Sequence, residues 1–263
     1  SKSNNQHSTD YYKEFMISIP ASAELFNILG YPVQTWGLIV SIGLIISLML
    51  MLREAKKKKV LDDAESLIAY IAIASIIGAR IAYIAVNPSE FSNPFEIFKI
   101  WNGGMISWGF FLGGVIGAFA FKFLQNKKIY SLLDLMAPYF ILAIAIGRIG
   151  CFLRGCCFGL PTDLPWGILY TGENRLVEQA VHPTQIYHAI ADFIIFFVLK
   201  SRKKNKFLLF VILYSIERFF IDFLRFHPSN EYVGIITITQ IIFMALFAIA
   251  LGLLVRKKQI KKS

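Results

Sequence analysis

The sequence predicts an all-α, polytopic membrane protein of about seven transmembrane helices, with the amino terminus outside and the carboxyl terminus in the cytoplasm. Three observations carry that expectation. Apolar residues make up 56% of the 263, and the mean hydropathy is +0.57, too high for a soluble domain of this length. Apolar runs long enough for a membrane helix recur along the chain without the alternation of a closed barrel. Basic clusters follow every second run, as they do when those ends face the cytoplasm.

The runs are taken in order. The first, 34–52, ends against "REAKKKK" (53–59). The second, 67–86, carries Arg80 and Tyr83 in "GARIAYI". The third, 105–124, contains Gly113, Gly114 and Gly117, which suit helix packing through small residues, and ends in "KFLQNKK" (122–128). The fourth, 132–150, holds Arg148 near its end. The fifth and shortest, 184–199, is opened by "HPTQIY" (182–187), where Pro183 fits a first helical turn. The sixth, 207–225, follows "KSRKKNK" (200–206), and the seventh, 233–255, precedes "RKKQIKK" (256–262).

The four basic clusters hold 5, 3, 5 and 5 of the chain's 27 Lys and Arg residues. Placed in the cytoplasm, they leave the loops 87–104, 151–183 and 226–232 outside. The net charge of +10 is then a topology signal and gives no reason to expect nucleic-acid binding. Residues 1–32 are mostly polar and show no signal peptide; they are expected to form an extracytoplasmic segment ahead of one membrane-embedded domain, 33–263. Within them, "MISIPASAELFNIL" has the composition of a short amphipathic segment lying along the outer interface.

Ionisable residues inside a span are functional candidates, since each costs about 2.5–3.5 kcal/mol at the bilayer centre. Here they are Arg80, Arg148, Asp192, Glu217, Arg218, Asp222 and Arg225. In "YSIERFFIDFLRF" the spacing puts Arg218, Asp222 and Arg225 on one helical face, joined by Tyr214. A structural ion pair with a snorkelling Arg225 would explain that row alone. Four arginines in the outer halves of their spans point further, to a pocket for an anion, because a guanidinium donates two parallel hydrogen bonds to phosphate. The glycines of "NGGMISWGFFLGG" (102–114) and "GRIGCFLRGCCFG" (147–159) permit close approach to such a ligand, Gly103, Gly104, Gly155 and Gly159 in particular. His182 and Gln185 flank the entry to the fifth run and point toward the same outer pocket. His188, further along, is given no role. The three cysteines, Cys151, Cys156 and Cys157, lie where a disulfide can form, and an odd count leaves one thiol unpaired within the chain. A zinc site from these cysteines and His182 would match no familiar ligand spacing, and none is expected.

These residues resemble the prolipoprotein diacylglyceryl transferase family, in order, from about residue 32 to the carboxyl terminus. "TWGLIVSIG" resembles its first span, "GARIAYI" its G-x-R-x-x-Y element and "WNGGMISWG" its W-D-G-G-M-S-x-H-G element. "DLMAPYFILAIAIGRIGCFLRGCCFG" resembles D-x-x-A-P followed by G-R-x-G-N-F-x-N-x-E-x-x-G, and "PWGILY", "HPTQIY" and "ERFFIDFLR" follow in family order. The departures are specific. The two signature Asn positions are Cys151 and Arg154, the signature Glu is Cys156, the His of the G-G-M element is Trp108, and a Tyr near the first span is Trp36.

The resemblance implies transfer of a diacylglyceryl group from phosphatidylglycerol to the lipobox cysteine of an exported prolipoprotein, recognised with its signal peptide, at a bacterial inner membrane. It implies no metal or organic cofactor. Arg148 and Arg218 would bind and stabilise the phosphate, with Arg80, Tyr83, Gly103, Gly104, Gly159, Gln185, Asp222 and Arg225 lining the lipid site. With the family's His and Glu replaced, Cys151, Cys156 and His182 are the candidates for handling the thiol proton. A related transferase with another acceptor, or a lipid-binding protein without chemistry, would keep the same arginines.

Overall fold

The computed structural model describes residues 17–21, 24–28, 31–88, 93, 107–127, 129–171, 179–225, 227 and 232–260. Its described residues form seven helices and three two-stranded sheets. The helices are α1 (Thr35–Lys57), α2 (Leu61–Val86), α3 (Ser107–Leu124), α4 (Ile129–Arg154), α5 (Thr184–Ser201), α6 (Lys206–Asp222) and α7 (Ile238–Ile260). The strands are β1 (Ile17–Pro20), β2 (Glu24–Ile28), β3 (Tyr31–Gln34), β4 (Ile168–Thr171), β5 (Tyr232–Val233) and β6 (Ile236–Thr237). Four stretches, Thr35–Lys57, Leu61–Val86, Ile129–Arg154 and Ile238–Lys257, are long and apolar enough to cross a membrane. A 26-residue helix such as α4 is about 39 Å long at 1.5 Å per residue, more than the roughly 30 Å hydrocarbon core.

The chain divides into two compact units, one of residues 51–135 and one of residues 1–50 with 136–263. In the smaller unit α2 and α3 touch backbone to backbone. A Cβ on Gly113 would strike the Ala74 carbonyl, one on Gly78 would come within 2.9 Å of Gly113 Cα, and one on Gly117 within 2.9 Å of Ala74 Cβ. The glycines of the third run are therefore packing residues, as their spacing implies. Tyr70 meets Phe121 edge-on at 5.8 Å, and Lys127 pairs with Asp63 at 3.1 Å. The outward sides of α2 and α3 carry exposed Ile73, Ile77, Ile81, Leu112 and Ile116, the surface a lipid environment requires.

In the larger unit, Ala137 and Ile141 of α4, Ile195 and Leu199 of α5 and Phe210 of α6 form a buried apolar cluster. Helices α5 and α6 are the shorter pair, at 18 and 17 residues, and they carry the buried ionisable groups. Helix α7 begins with a capping box: Thr237 Oγ1 accepts from the Gln240 N–H at 3.1 Å, and Gln240 Oε1 accepts from the Thr237 N–H at 2.9 Å. That cap starts the helix at residue 238, five residues later than the apolar run suggests. Helix α6 stops at Asp222, so Arg225 lies in the turn beyond it rather than on its face.

The amino-terminal segment differs from expectation. Residues 17–20, expected as a short amphipathic surface segment, form a strand, β1, paired in parallel with β4, with Ile17 opposite Ile168 and Pro20 opposite Thr171. Ala21, Ile168, Tyr170 and Val181 make a small core there, packed by Phe152 and Phe158. The cause is non-local: β1 satisfies its backbone groups on the 155–183 connection, about 150 residues away in sequence. Strands β2 and β3 pair antiparallel and lead into α1.

Candidate functional site: a thiol turn beside a buried arginine–histidine–carboxylate centre

The last turns of α4 bring Arg148 and Cys151 onto one face, three residues apart. After Arg154 the chain turns back through Gly155, whose φ of +73 suits glycine, and the Cys156 N–H donates to the Cys151 carbonyl at 3.1 Å. Cys157 follows, also in the left-handed region at φ 62. The start of α5 clamps this turn. Thr184 Oγ1 donates to the Cys157 carbonyl at 2.8 Å, while Gln185 Nε2 donates to the Cys156 carbonyl at 2.6 Å and to Tyr170 Oη at 3.2 Å. The outcome is that all three Sγ atoms lie within 4.8 Å of one another, as free thiols. Hydrogen bonds from Cys151 and Cys156, and the charges of Arg225 and Arg148, hold the Cys157 thiol well below the ordinary thiol range, while hydrogen bonds with Cys151 and Cys157, and burial, push the Cys156 thiol above it. Burial pushes the Tyr170 hydroxyl up.

Deeper in the same unit lies a polar centre built by α4, α5 and α6. His188 Nδ1 contacts Glu217 Oε1, and Arg218 Nη1 lies 3.1 Å from His188 Nε2. A guanidinium can only donate, so Nε2 is the acceptor and the ring is a neutral imidazole that gives its Nδ1 proton to Glu217. Asp222 accepts from Thr237 Oγ1 at 2.6 Å and lies 3.1 Å from His227 Nε2 and 4.0 Å from Arg218 Nη2. The Arg218 guanidinium also stands 5.6 Å from the Phe243 ring. Arg148 and Arg218 act on each other electrostatically, and the acidic side chains of Asp192 and Glu217 act on Arg148. The Arg148 Nε, both Asp192 carboxylate oxygens and Glu217 Oε2 are buried with no hydrogen-bond partner among the described residues.

Among the expected site residues, Arg148, Arg218, Asp222, Arg225, Cys151, Cys156, Gly159 and Gln185 all belong to this unit. Gly159 pairs with Arg225 in a β-bridge and donates its N–H to the His182 carbonyl at 2.8 Å, so its smallness serves backbone packing. Gln185 is a buried clamp on the thiol turn. His182 instead faces Tyr187, with Nδ1 3.4 Å from a hydroxyl that also accepts from Trp166 Nε1 at 2.8 Å. Arg80 is buried in the other unit, with its guanidinium 6.0 Å from the Tyr83 ring one turn on. Gly103 and Gly104 fall outside the described residues, as does the Trp108 side chain.

Sequence reasoning passed over His188, which pairs both Glu217 and Arg218, while the three acids it singled out, Asp192, Glu217 and Asp222, are all buried here. The signal was present. His188 and Asp192 are four residues apart on one helix, and an ionisable residue inside a span is a candidate by its cost alone.

The long apolar helices define a helical membrane protein, with a buried arginine–histidine–carboxylate centre in its larger unit. The comparisons give its family: the model for "Prolipoprotein diacylglyceryl transferase" matches residues 23–256, and the chain belongs to that family. It is similar to the phosphatidylglycerol–prolipoprotein diacylglyceryl transferase of Clostridium tetani, at 34% identity covering 88% of this chain and 95% of the relative. The protein of that name in Finegoldia magna is 31% identical, over 90% of this chain and 97% of its own length. The one in Clostridioides difficile is 34% identical, over 82% and 88% respectively.

Proposed function

We propose that this chain moves a diacylglyceryl group from phosphatidylglycerol to the thiol of a lipobox cysteine on an exported prolipoprotein. The thiolate sulfur forms a bond to the glyceryl carbon as the carbon–oxygen bond to phosphate breaks, and glycerol phosphate leaves with the electron pair. The observation that carries the reading is Arg148, half-buried, with a buried Nε that has no hydrogen-bond partner among the described residues, one turn before the thiol cluster. An arginine so placed donates to a phosphodiester and stabilises the charge that builds on it as it leaves. Arg218, held by His188 and Asp222, supplies the second guanidinium, and Arg225 adds positive charge at the turn. Arg80 and Tyr83, with Gly103 and Gly104, contribute to lipid binding. A groove of about 390 Å³ lined by Phe219, Phe220, Phe243, Met244 and Phe247 between α6 and α7 suits an acyl chain.

In a cell whose own transferase has been removed, expression of this chain should restore a diacylglyceryl mass on the amino-terminal cysteine of exported lipoproteins. Unmodified prolipoproteins in a cell that expresses the chain at normal levels would overturn the reading.

All seven helices cross the bacterial plasma membrane in this reading, with 1–32 and 155–183 outside and both 53–59 and 200–206 in the cytoplasm. A cysteine introduced at exposed Asp163 should label with an impermeant thiol reagent in intact cells, in a background with the three native cysteines replaced by serine. One at exposed Lys204 should label only after lysis. The opposite pattern would invert the topology.

A further inference from the structure

We infer that Cys151, Cys156 and Cys157 bind one zinc ion as thiolates, and that the fourth position of that ion takes the acceptor cysteine and holds it as a thiolate. The second half of this inference rests on the transferase reading; the first does not.

The geometry is that of an open three-ligand site. Zinc–sulfur bonds of about 2.3 Å place tetrahedral sulfurs about 3.8 Å apart, and the three Sγ atoms already lie within 4.8 Å of one another. A shift of about 1 Å or less closes them on one ion. No other His, Cys, Asp or Glu among the described residues joins the group. Three protein ligands with a fourth position left open is the arrangement of catalytic zinc, whereas structural zinc takes four. The turn is also built to converge. Two backbone positions in the left-handed region, and two buried side chains of α5 bonded to the Cys156 and Cys157 carbonyls, fix where these thiols point. Filling a turn would need neither three sulfurs nor that clamp.

The charges agree. Zinc with three thiolates carries one net negative charge, and with a fourth thiolate it carries two. Arg148 and Arg225 both act on Cys157 and match that charge.

The chemistry answers a gap in the site. A cysteine thiol is mostly protonated near neutral pH, and the nucleophile is the thiolate. The neutral His188 already donates to Glu217 and accepts from Arg218, so that imidazole is committed within the protein, and His182 Nδ1 lies 3.4 Å from the Tyr187 hydroxyl. A zinc-bound thiol is deprotonated outright. The acceptor thiol gives its proton to solvent on binding zinc. Its sulfur then attacks the glyceryl carbon, and the carbon–oxygen electron pair departs with phosphate. The released proton balances the charge gained by glycerol phosphate, and no oxidant or reductant is consumed. Alkylation of one of the enzyme's own cysteines would instead form a thioether, which is too poor a leaving group to pass the lipid on.

The test uses the full chain purified in phosphatidylcholine nanodiscs, where no phosphatidylglycerol permits turnover. Elemental analysis should find one zinc per chain in the native protein and none in the Cys151→Ser, Cys156→Ser, Cys157→Ser triple variant. The cobalt-substituted protein should show thiolate-to-cobalt charge-transfer absorption. A lipobox peptide should shift the cobalt ligand-field bands, and the same peptide with serine for its cysteine should leave them in place. A native chain free of zinc, zinc retained by the triple variant, or titration showing two of the three thiols lost to a disulfide would overturn the site. Bound metal with no response to the cysteine peptide would overturn its role in activating the acceptor. If metal and spectral shift are as expected but phosphatidylglycerol nanodiscs give no modified peptide, the transferase reading fails and the metal site stands.

Discussion

Arg148→Ala is expected to lower transfer about 10²–10³-fold while the protein still inserts and folds, and Arg148→Lys to recover little of it. The alanine variant removes a half-buried guanidinium whose Nε makes no hydrogen bond among the described residues, so the fold loses little. The reaction loses the donor that faces the departing phosphate. Removing one such preorganised donor costs about 10²–10³ in turnover. Lysine restores a charge but not the planar fork that grips two phosphate oxygens, and its compact ammonium is more strongly hydrated. Arg218→Ala is expected to lose activity to a similar degree with some loss of stability, because Arg218 also donates to His188 and stands near Asp222. Initial rates on a lipobox peptide in phosphatidylglycerol vesicles read both effects. Turnover near the native rate in Arg148→Ala would mean the phosphate is held elsewhere.

The second large effect concerns His188 and Glu217. Removing one partner of a buried hydrogen bond strands the other, at a cost of about 1–3 kcal/mol, more where the stranded group is charged. Glu217→Ala leaves the His188 Nδ1 proton without an acceptor, and His188→Ala leaves Glu217 and Arg218 both short of a partner. Each single variant should therefore lower thermal stability in detergent markedly. The double variant should cost clearly less than the two singles together, because neither group is left stranded by the other's loss. Strict additivity would show that the two side chains do not act as a pair. The ring's acceptor role gives a further check: a neutral His188 protonated on Nδ1 has a distinct ring-nitrogen signature by NMR.

The apolar runs were legible because the membrane imposes length and composition on each helix. Their ends were less so, for local reasons. Helix α4 continues past the apolar run to Arg154 because its last turn lies against the thiol turn, where polar residues find partners. The start of α7 is set by the Thr237–Gln240 capping box, a signature present in "TITQ" but masked by the apolar residues around it. The strand at residues 17–20 could not be read at all, since its partner lies at 168–171 and nothing local favours a strand over a surface segment. In the site, the arginines announced themselves by their cost in a membrane. The meeting of Cys151 with Cys156 and Cys157 did not, because it depends on left-handed backbone at Gly155 and Cys157 that spacing alone cannot reveal. His188 was overlooked because a single imidazole on a helix acquires meaning only when Glu217 and Arg218 arrive from another one.

The most direct test places the purified native chain in vesicles with a lipobox peptide and reads the peptide's mass. With phosphatidylglycerol present, the cysteine peptide should gain one diacylglyceryl group in a thioether that resists base and hydroxylamine, and glycerol phosphate should appear in equal amount. A serine peptide should gain nothing. An unmodified cysteine peptide, or glycerol phosphate released without lipid reaching the sulfur, would contradict the assignment.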